Sequence, residues 1–293
     1  MNRITGSIVA LITPFNEDMS VNFTKLGELL DWHIENKTDA ILILGTTSES
    51  PTMTHEEDLD ICHYTVERVG GRVPIIASSG SNCTASVIQY SLDFQAAGAD
   101  AVMNIAPYYN KANKEGMYRH FADVADVIDI PLIMYNVPGR TGCSIPVDVV
   151  GRLSQHENIV GIKEASGDLS YVAKIARYAN ENFAIYSGND DVILPVLSLG
   201  GSGVISVLAN VMPEETHNMV MSYLKGDVNG AMVEQIRLMQ LINNLFIEVN
   251  PIPVKEAMNL MGMNVGGFRL PLCEADPANR EILRASMESA GLI

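Results

Sequence analysis

PLIMYNVPGRTGCSIPVDVVGRLSQHENIVGIK, at residues 131–163, is the stretch that decides the fold. It begins and ends with a short continuous run of mostly apolar residues, Pro131–Tyr135 and Ile159–Lys163. A run of this kind is typical of a strand that is buried on both faces of a parallel sheet. Between the runs, Pro146–Leu153 carries apolar residues at helical spacing. The stretch therefore predicts a strand, a helix and a second strand.

The same unit repeats along the chain. Further predicted strands are Ser7–Ile12, Ala40–Leu44, Val73–Ala77, Ala101–Ile105, Phe183–Tyr186 and Gly203–Val207. The other predicted helices are Asn22–Glu35, Glu56–Val69, Thr84–Ala97, Glu115–Val127, Leu169–Ala179, Asp191–Leu199 and Pro213–Leu224. Strict alternation favours an α/β fold with a closed parallel (β/α)8 TIM barrel. The alternative is an open doubly wound sheet, but TPFNED stands where that fold carries a Gly-rich phosphate loop.

The last part of the chain has helical patterns only. They predict a C-terminal three-helix appendage, with helices near Asn229–Glu248, Pro253–Met261 and Pro277–Ala290. We therefore divide the chain into a catalytic barrel at residues 1–227 and a C-terminal helical region at residues 228–293.

Composition excludes several classes of protein. With 293 residues, of which 47% are hydrophobic, the chain can bury a large core. It has 19 basic and 35 acidic residues, and the net charge of −16 disfavours a nucleic-acid partner. No apolar run has the ~18 residues of a membrane span, and the N-terminal segment lacks the apolar run of a signal peptide. The four separated cysteines predict a reduced, cytoplasmic protein, and the six histidines show no metal-ligand spacing.

Lys163 is the residue most informative about chemistry. It ends an apolar strand, and catalytic groups of an α/β barrel lie at the carboxyl ends of the strands. A free lysine has a pKa of about 10.4, and a desolvated pocket disfavours its cation and exposes an amine that can attack a carbonyl. The alternative is a lysine that leaves the barrel mouth and pairs with Glu164 or Asp168.

Polar residues at neighbouring strand ends favour the nucleophile. Tyr135 ends the adjacent strand, where a phenol can shuttle the protons of Schiff-base formation, although it could equally be a rim aromatic. Thr46 and Thr47 offer hydroxyl and N–H groups to a carboxylate, or form an ordinary turn. Arg140 follows a Pro-Gly turn and offers a bidentate fork to a second carboxylate, although most surface arginines have no such role.

Seven motifs in one order carry a family resemblance: GTTSES, APYYN, YNVPGRTG, GIKEASG, YSGND, GVISV and NPIPVK. They closely resemble the dihydrodipicolinate synthase family, which belongs to the pyruvate-dependent class I aldolases and lyases on (β/α)8 barrels. The resemblance covers nearly the whole chain. It implies condensation of pyruvate with L-aspartate 4-semialdehyde through a lysine Schiff base, on the diaminopimelate route to lysine. No cofactor is implied, because the protonated imine is the electron sink, and homotetramers built from tight dimers are the usual assembly.

The resemblance also implies the catalytic residues. Lys163 matches the Schiff-base lysine, and Tyr135 matches the general acid and base. Thr47 and Tyr109 match the rest of a hydroxyl proton relay, in which Tyr109 reaches into the site of the neighbouring subunit.

Substrate-binding residues follow in the same way. Thr46 and Thr47 match the residues that hold the carboxylate of pyruvate. Arg140 matches the arginine that takes the carboxylate of the semialdehyde. Gly188 and Ile205 match backbone positions that line the pocket.

Some positions depart from the family pattern. Ser48 stands where many relatives have glycine. Positions that line a lysine-inhibitor pocket in sensitive members are matched by Ser50, His55, Asn82 and Tyr108. However, Ser86 stands for the glutamate that binds the amine of the inhibitor, Asp58 for a histidine and Pro51 for an alanine. We therefore expect this pocket to be vestigial and feedback inhibition by lysine to be weak or absent.

Two other functions remain open. N-acetylneuraminate lyase and 2-keto-3-deoxy-sugar-acid aldolases would use Lys163 and Tyr135 on pyruvate with a sugar aldehyde, whereas Arg140 favours a small carboxylated aldehyde. A catalytically silent scaffold on the same barrel should have lost Lys163, Tyr135 or Thr47, and this chain keeps all three.

Overall fold

The strands form the predicted barrel. In a computed structural model that describes residues 4–293, eight parallel strands close into one barrel in chain order. They are β1 (Gly6–Ala10), β2 (Ala40–Ile43), β3 (Ile75–Ser78), β4 (Ala101–Ile105), β5 (Leu132–Asn136), β6 (Ile159–Glu164), β7 (Ala184–Ser187) and β8 (Gly203–Ser206). The prediction of a (β/α)8 TIM barrel is confirmed.

Helices alternate with the strands and then continue alone. Over residues 4–293 they are α1 (Phe23–Glu35), α2 (His55–Val69), α3 (Thr84–Ala96), α4 (Lys114–Ala125), α5 (Pro138–Thr141), α6 (Val147–Leu153), α7 (Leu169–Ala176), α8 (Ile193–Ser198), α9 (Pro213–Leu224), α10 (Val228–Asn244), α11 (Ile252–Leu260) and α12 (Pro277–Ala290). The three helices α10–α12 confirm the predicted C-terminal helices. No helix among the described residues is long and apolar enough to cross a membrane.

The ends of several elements differ from the predictions because local hydrogen bonds decide them. The first strand ends at Ala10 rather than Ile12, since the amide of Ile12 donates to the side chain of Asn210 at 3.1 Å. Residues 190–192 form a 3-10 turn, so α8 begins at Ile193 rather than Asp191. Helix α5 lies inside the segment that was predicted as a turn.

The side chains of the strands pack in two layers. On β1, Ile8 and Ala10 point into the barrel, whereas Val9, and Leu11 just after the strand, face the surrounding helices. Both faces of the sheet are therefore apolar, which is why the strands read as continuous runs rather than as alternating patterns.

One irregularity sets which way the end of β6 faces. Leu132 of β5 pairs with Ile159, but the next residue pairs with Gly161, so Val160 is an extra residue in β6. Ile159 and Ile162 both belong to the outer layer. Residues three apart on a regular strand face opposite sides, so both can face outward only because the bulge lies between them. The bulge turns the following residue, Lys163, into the barrel.

The C-terminal region packs on the barrel rather than standing apart. Helix α10 packs against α9, and α12 packs against α10 and α11. The boundary at residues 227 and 228 stays a prediction.

We expect Gly161→Ala to destabilise the barrel. A Cβ at this position would lie 2.7 Å from the carbonyl oxygen of Ala184 on β7, where the backbone cannot move aside. Overpacking of this kind costs about 2 kcal/mol in the free energy of unfolding, which urea denaturation would measure. Gly139→Ala is the matched control, since a Cβ there meets nothing within 4 Å. Equal stability of the two variants would contradict the prediction.

Candidate active site

A cavity of about 390 Å³ lies at the carboxyl ends of the strands. Six of the predicted site residues line it: Thr46, Thr47, Tyr135, Arg140, Lys163 and Gly188. A larger cavity of about 620 Å³ lies at the opposite end of the barrel, where Pro131 and Asn158 precede β5 and β6. No predicted site residue lines that second cavity. The candidate active site is therefore the smaller cavity at the carboxyl ends.

Lys163 is held inside the cavity as a buried amine. It pairs with Tyr135 across β5 and β6, and only 6% of it is exposed. Its Nζ lies 4.6 Å from the centre of the Tyr135 ring. Burial lowers the pKa of Lys163 to about 8; the charge of Asp190 opposes this shift, and the charge of Arg140 adds to it. A usable fraction of the amine is therefore neutral near pH 7.

The alternative of an ion-paired surface lysine is wrong. Both carboxylates that could pair with Lys163 have other partners: Glu164 accepts from the Asn136 side chain at 2.6 Å and the Ser166 amide at 2.7 Å. Asp168 caps α7 by accepting from the Ser170 amide at 2.8 Å. Among the described residues, no ion pair joins Lys163 to either one.

Tyr135 stays a neutral phenol beside the lysine. Burial raises the pKa of Tyr135 to about 12, against the smaller opposing effects of the Arg140 charge and the Thr46 hydroxyl. Desolvation thus favours the uncharged form of both side chains. The phenol of Tyr135 and the amine of Lys163 can then exchange protons with a bound carbonyl compound.

The turn after β2 presents the threonines. Thr47 is buried, and its Oγ1 accepts a hydrogen bond from the side chain of Asn250 at 2.9 Å. The hydroxyl of Ser48 donates to the carbonyl oxygen of Leu11 at 2.6 Å. Ser48 therefore ties this turn to the end of β1.

Arg140 lies on α5 at the mouth of the cavity. Its Nη2 donates to the carbonyl oxygen of Asn250 at 3.0 Å. The rest of the guanidinium group remains available for a bidentate contact with an anion. The four-residue helix α5 holds this arginine, because the predicted Pro-Gly turn continues as helix to Thr141.

Gly188 and Ile205 occupy different depths. Gly188 follows β7 and lines the cavity, and a Cβ there would lie 3.1 Å from Cε of Lys163. Glycine thus leaves room for the lysine. Ile205 is fully buried in the inner layer on β8. Val207, which directly follows β8, lines the cavity.

Tyr109 lies outside the cavity. It is 90% exposed and has a φ of +65°, in the left-handed region that non-glycine residues seldom adopt. Within residues 4–293 the ring stays almost uncovered, and its part in a proton relay stays a prediction.

The positions matched to the lysine-inhibitor pocket form two contact groups. In the first, Ser50 donates to the Asp58 carboxylate at 3.2 Å, and nearby His55 contacts Asp93 at 2.8 Å. In the second, Asn110 donates to the carbonyl oxygen of Asn82 at 3.0 Å, two residues after the exposed Tyr108. No hydrogen bond between the two groups is present among the described residues.

Sequence reasoning missed the contribution of the C-terminal region. Phe246, Val249 and Asn250, which lie between α10 and α11, line the cavity. It also missed Asp190, whose buried Oδ2 accepts from the amides of Val207 and Leu208 at 3.0 and 2.9 Å. NPIPVK begins with Asn250, just after Phe246 and Val249, and YSGND ends with Asp190. Neither motif predicts which strand end its residues will face.

Metal ligands do not cluster in the described part of the chain. No group of three or more His, Cys, Asp or Glu side chains among residues 4–293 could hold a metal ion.

Comparisons with known proteins point to one family. Residues 3–290 match the Dihydrodipicolinate synthetase family. A 4-hydroxy-tetrahydrodipicolinate synthase from Clostridium perfringens (strain SM101) is 53% identical over 288 residues, which cover 98% of this chain and 99% of the relative. The crystal structure of dihydrodipicolinate synthase from Aquifex aeolicus has a TM-score of 0.96 at 43% identity and covers 98% of both chains. The chloride-inhibited dihydrodipicolinate synthase from Acinetobacter baumannii, complexed with pyruvate, has a TM-score of 0.97 at 39% identity and covers 99% of this chain and 100% of that one.

We expect the rate of Schiff-base formation at Lys163 to depend on pH. Because the pKa of Lys163 is lowered to about 8, the neutral amine is the minor form below pH 8 and the major form above it. The rate should rise about tenfold from pH 6 to pH 7 and level off above about pH 9. The protein would be mixed with pyruvate at each pH for set times and quenched into borohydride at one fixed pH, and the adduct would be measured by mass.

Lys163→Met is the control for that experiment and should form no adduct. A rate that is constant from pH 6 to pH 9 would contradict the assignment of an amine that titrates in this range.

Proposed function

The chain belongs to the dihydrodipicolinate synthetase family, and on that premise we propose that Lys163 forms the Schiff base through which it condenses pyruvate with L-aspartate 4-semialdehyde. The product is 4-hydroxy-tetrahydrodipicolinate, on the diaminopimelate route to lysine, and the enzyme is a lyase. The single observation that carries the proposal is the buried amine of Lys163, which lies 4.6 Å from the centre of the Tyr135 ring in one cavity. A silent scaffold has no need to keep either group.

The first half-reaction activates pyruvate. The carboxylate of pyruvate binds at the turn that carries Thr46 and Thr47, and the neutral amine of Lys163 attacks the ketone carbon. Tyr135 donates a proton to the developing alkoxide and takes one from the nitrogen, and loss of water gives the iminium. The iminium then loses a methyl proton and becomes an enamine.

The second half-reaction forms the new carbon–carbon bond. Arg140 holds the carboxylate of the semialdehyde, and the enamine carbon attacks the aldehyde carbon. The amine of the semialdehyde then displaces Lys163, which closes the ring and releases the product with the free lysine. The protonated imine takes up the electron pair when the methyl proton leaves, and the enamine returns that pair to the aldehyde carbon, whose oxygen becomes an alkoxide and is protonated to the hydroxyl of the product.

The proton relay extends beyond one subunit. Thr47 and Tyr135 both line the cavity, whereas Tyr109 is exposed and does not line it. We assign Tyr109 to the site of a neighbouring subunit, within a homotetramer that is a dimer of dimers. The exposed ring is the feature that supports this assembly.

The cellular location is part of the proposal. All four cysteines are free, and two of them, Cys83 and Cys273, are exposed. Exposed free thiols fit the reducing cytoplasm, where both substrates would be available.

A panel of aldehydes tests the substrates. With pyruvate present, the protein should turn over L-aspartate 4-semialdehyde but not glyceraldehyde or N-acetylmannosamine, because Arg140 recognises a carboxylate that the sugars lack. Pyruvate consumption measures each reaction. Turnover of a sugar aldehyde without turnover of the semialdehyde would overturn the proposal.

Arg140→Met gives the matched control for this panel. It should raise KM for the semialdehyde by about ten- to a hundredfold, since a charge-assisted hydrogen bond is lost. The borohydride adduct of pyruvate on Lys163 should still form. This combination separates binding of the second substrate from activation of the first.

Feedback inhibition by lysine should be weak or absent. Ser86 offers no carboxylate to the amine of lysine, and burial raises the pKa of Asp58 to about 7, so that this carboxyl is not a full anion at neutral pH. The rate in an assay coupled to the next reductive step should be unchanged by micromolar lysine. Inhibition in that concentration range would show that the pocket is functional.

A further inference from the structure

A second buried lysine takes no part in the proposed chemistry. Lys255 lies on α11 with none of its side chain exposed. Its Nζ donates to Oε1 of Glu49 at 2.8 Å and to the carbonyl oxygen of Gly267. The Glu49 side chain is also fully buried. The two charges form a dry ion pair between the barrel and the C-terminal region.

Glu49 ends the turn that presents Thr46 and Thr47. Its amide donates to the carbonyl oxygen of Thr46 at 3.2 Å, and its φ is +61°. Its other carboxylate oxygen accepts from the amide of Arg269 at 3.1 Å. One side chain therefore fastens the carboxylate-binding turn to the C-terminal region at two separate points.

The same C-terminal segment touches both substrate subsites. Asn250 precedes Lys255 by a few residues and donates to the hydroxyl of Thr47 at 2.9 Å. The carbonyl oxygen of Asn250 accepts from Arg140 at 3.0 Å. Any movement of α11 relative to the turn would thus shift Thr47 and Arg140 relative to Lys163.

Aromatic rings shield the ion pair. The Nζ of Lys255 lies 4.4 Å from the centre of the Phe15 ring and 5.1 Å from that of Phe268. Phe15 lies in the connection after β1, and Glu49 lies in the connection after β2. The ammonium group of Lys255 therefore contacts both connections from the C-terminal region. These rings exclude water, and a pair in a dry site keeps a fixed geometry because neither charge can turn to solvent.

We propose that Glu49 and Lys255 form a positioning pair, which fixes the Thr46–Thr47 turn against Asn250 so that the carboxylate of pyruvate is placed for attack by Lys163. The inference rests on the proposed function. Neither residue lines the cavity, so each acts through Thr47 and Asn250 rather than on a substrate.

The double variant Glu49→Gln/Lys255→Met tests this role. Removing one charge alone leaves the other buried without a partner, whereas removing both avoids that loss of stability. Circular dichroism would confirm folding, and the rate of borohydride trapping would be measured against pyruvate concentration. The half-saturating pyruvate concentration should rise about tenfold, which corresponds to the loss of about one charge-assisted hydrogen bond. The pH midpoint of trapping should stay where it is in the parent protein, because the surroundings of Lys163 are unchanged.

Glu256→Gln/Arg280→Met is the matched control. This pair joins α11 to α12 at 3.0 Å and does not touch the turn. It should leave the half-saturating concentration unchanged. If the role of Glu49 and Lys255 is structural only, the amount of trapped protein in their double variant will fall in proportion to the unfolded fraction. The half-saturating pyruvate concentration will then equal that of the parent protein, and the inference is overturned.

Glu49→Asp, which keeps both buried charges, decides the matter if the double variant does not fold. It shortens the side chain by one methylene, so that the carboxylate cannot reach both Lys255 and the amide of Arg269. A raised half-saturating concentration supports the pair, and the parent value refutes it. The parent protein reports on the proposed function separately, because absence of any pyruvate adduct on its Lys163 would refute that function rather than the positioning role.

Discussion

The pairing of β1 with β8 closes the sheet, and the cavity depends on that closure. Gly6 pairs with Gly203, and a Cβ on Gly203 would lie 2.0 Å from the carbonyl oxygen of Gly6, so the two strands approach more closely there than a side chain would allow. Closure brings the carboxyl ends of all the strands to one rim. Residues that are far apart in the chain, such as Thr47 and Lys163, become neighbours without any contact between their own strands.

The direction of Lys163 depends on a single extra residue. Without the bulge at Val160, alternation would place the lysine on the outer face of β6, among the apolar helices. With it, Lys163 shares the inner face with Tyr135, and the apolar barrel desolvates both groups. Desolvation favours the neutral amine and the neutral phenol alike, so one environment sets the protonation state of both the proposed nucleophile and its proposed proton partner.

The sequence predicted what depends on local patterns and missed what depends on long-range contacts. Continuous apolar runs identified the strands because both faces of the sheet are buried, and residues at the strand ends identified the rim. The bulge was not predictable, because Val160 fits a regular strand as well as an irregular one. Helix α5 was missed because its four residues resemble a turn. The contacts of Asn250 depend on how the C-terminal region packs on the barrel, and no local sequence pattern predicts that packing. The side chain of Ile205 lies in the inner core, and its assignment as a backbone position that lines the pocket stays a prediction.

The C-terminal region therefore also forms part of the wall of the cavity. Thr47, which we propose binds pyruvate, and Arg140, which we propose binds the semialdehyde, both form a hydrogen bond with Asn250. Lys163 lies on β6, which is hydrogen-bonded to β5 on one side and to β7 on the other. The amine that we propose as the nucleophile is thus fixed by the barrel alone, while the groups that we propose to select the substrates are fixed by contacts between the barrel and the C-terminal region. A change in those contacts can therefore alter which substrates bind without altering how the lysine reacts.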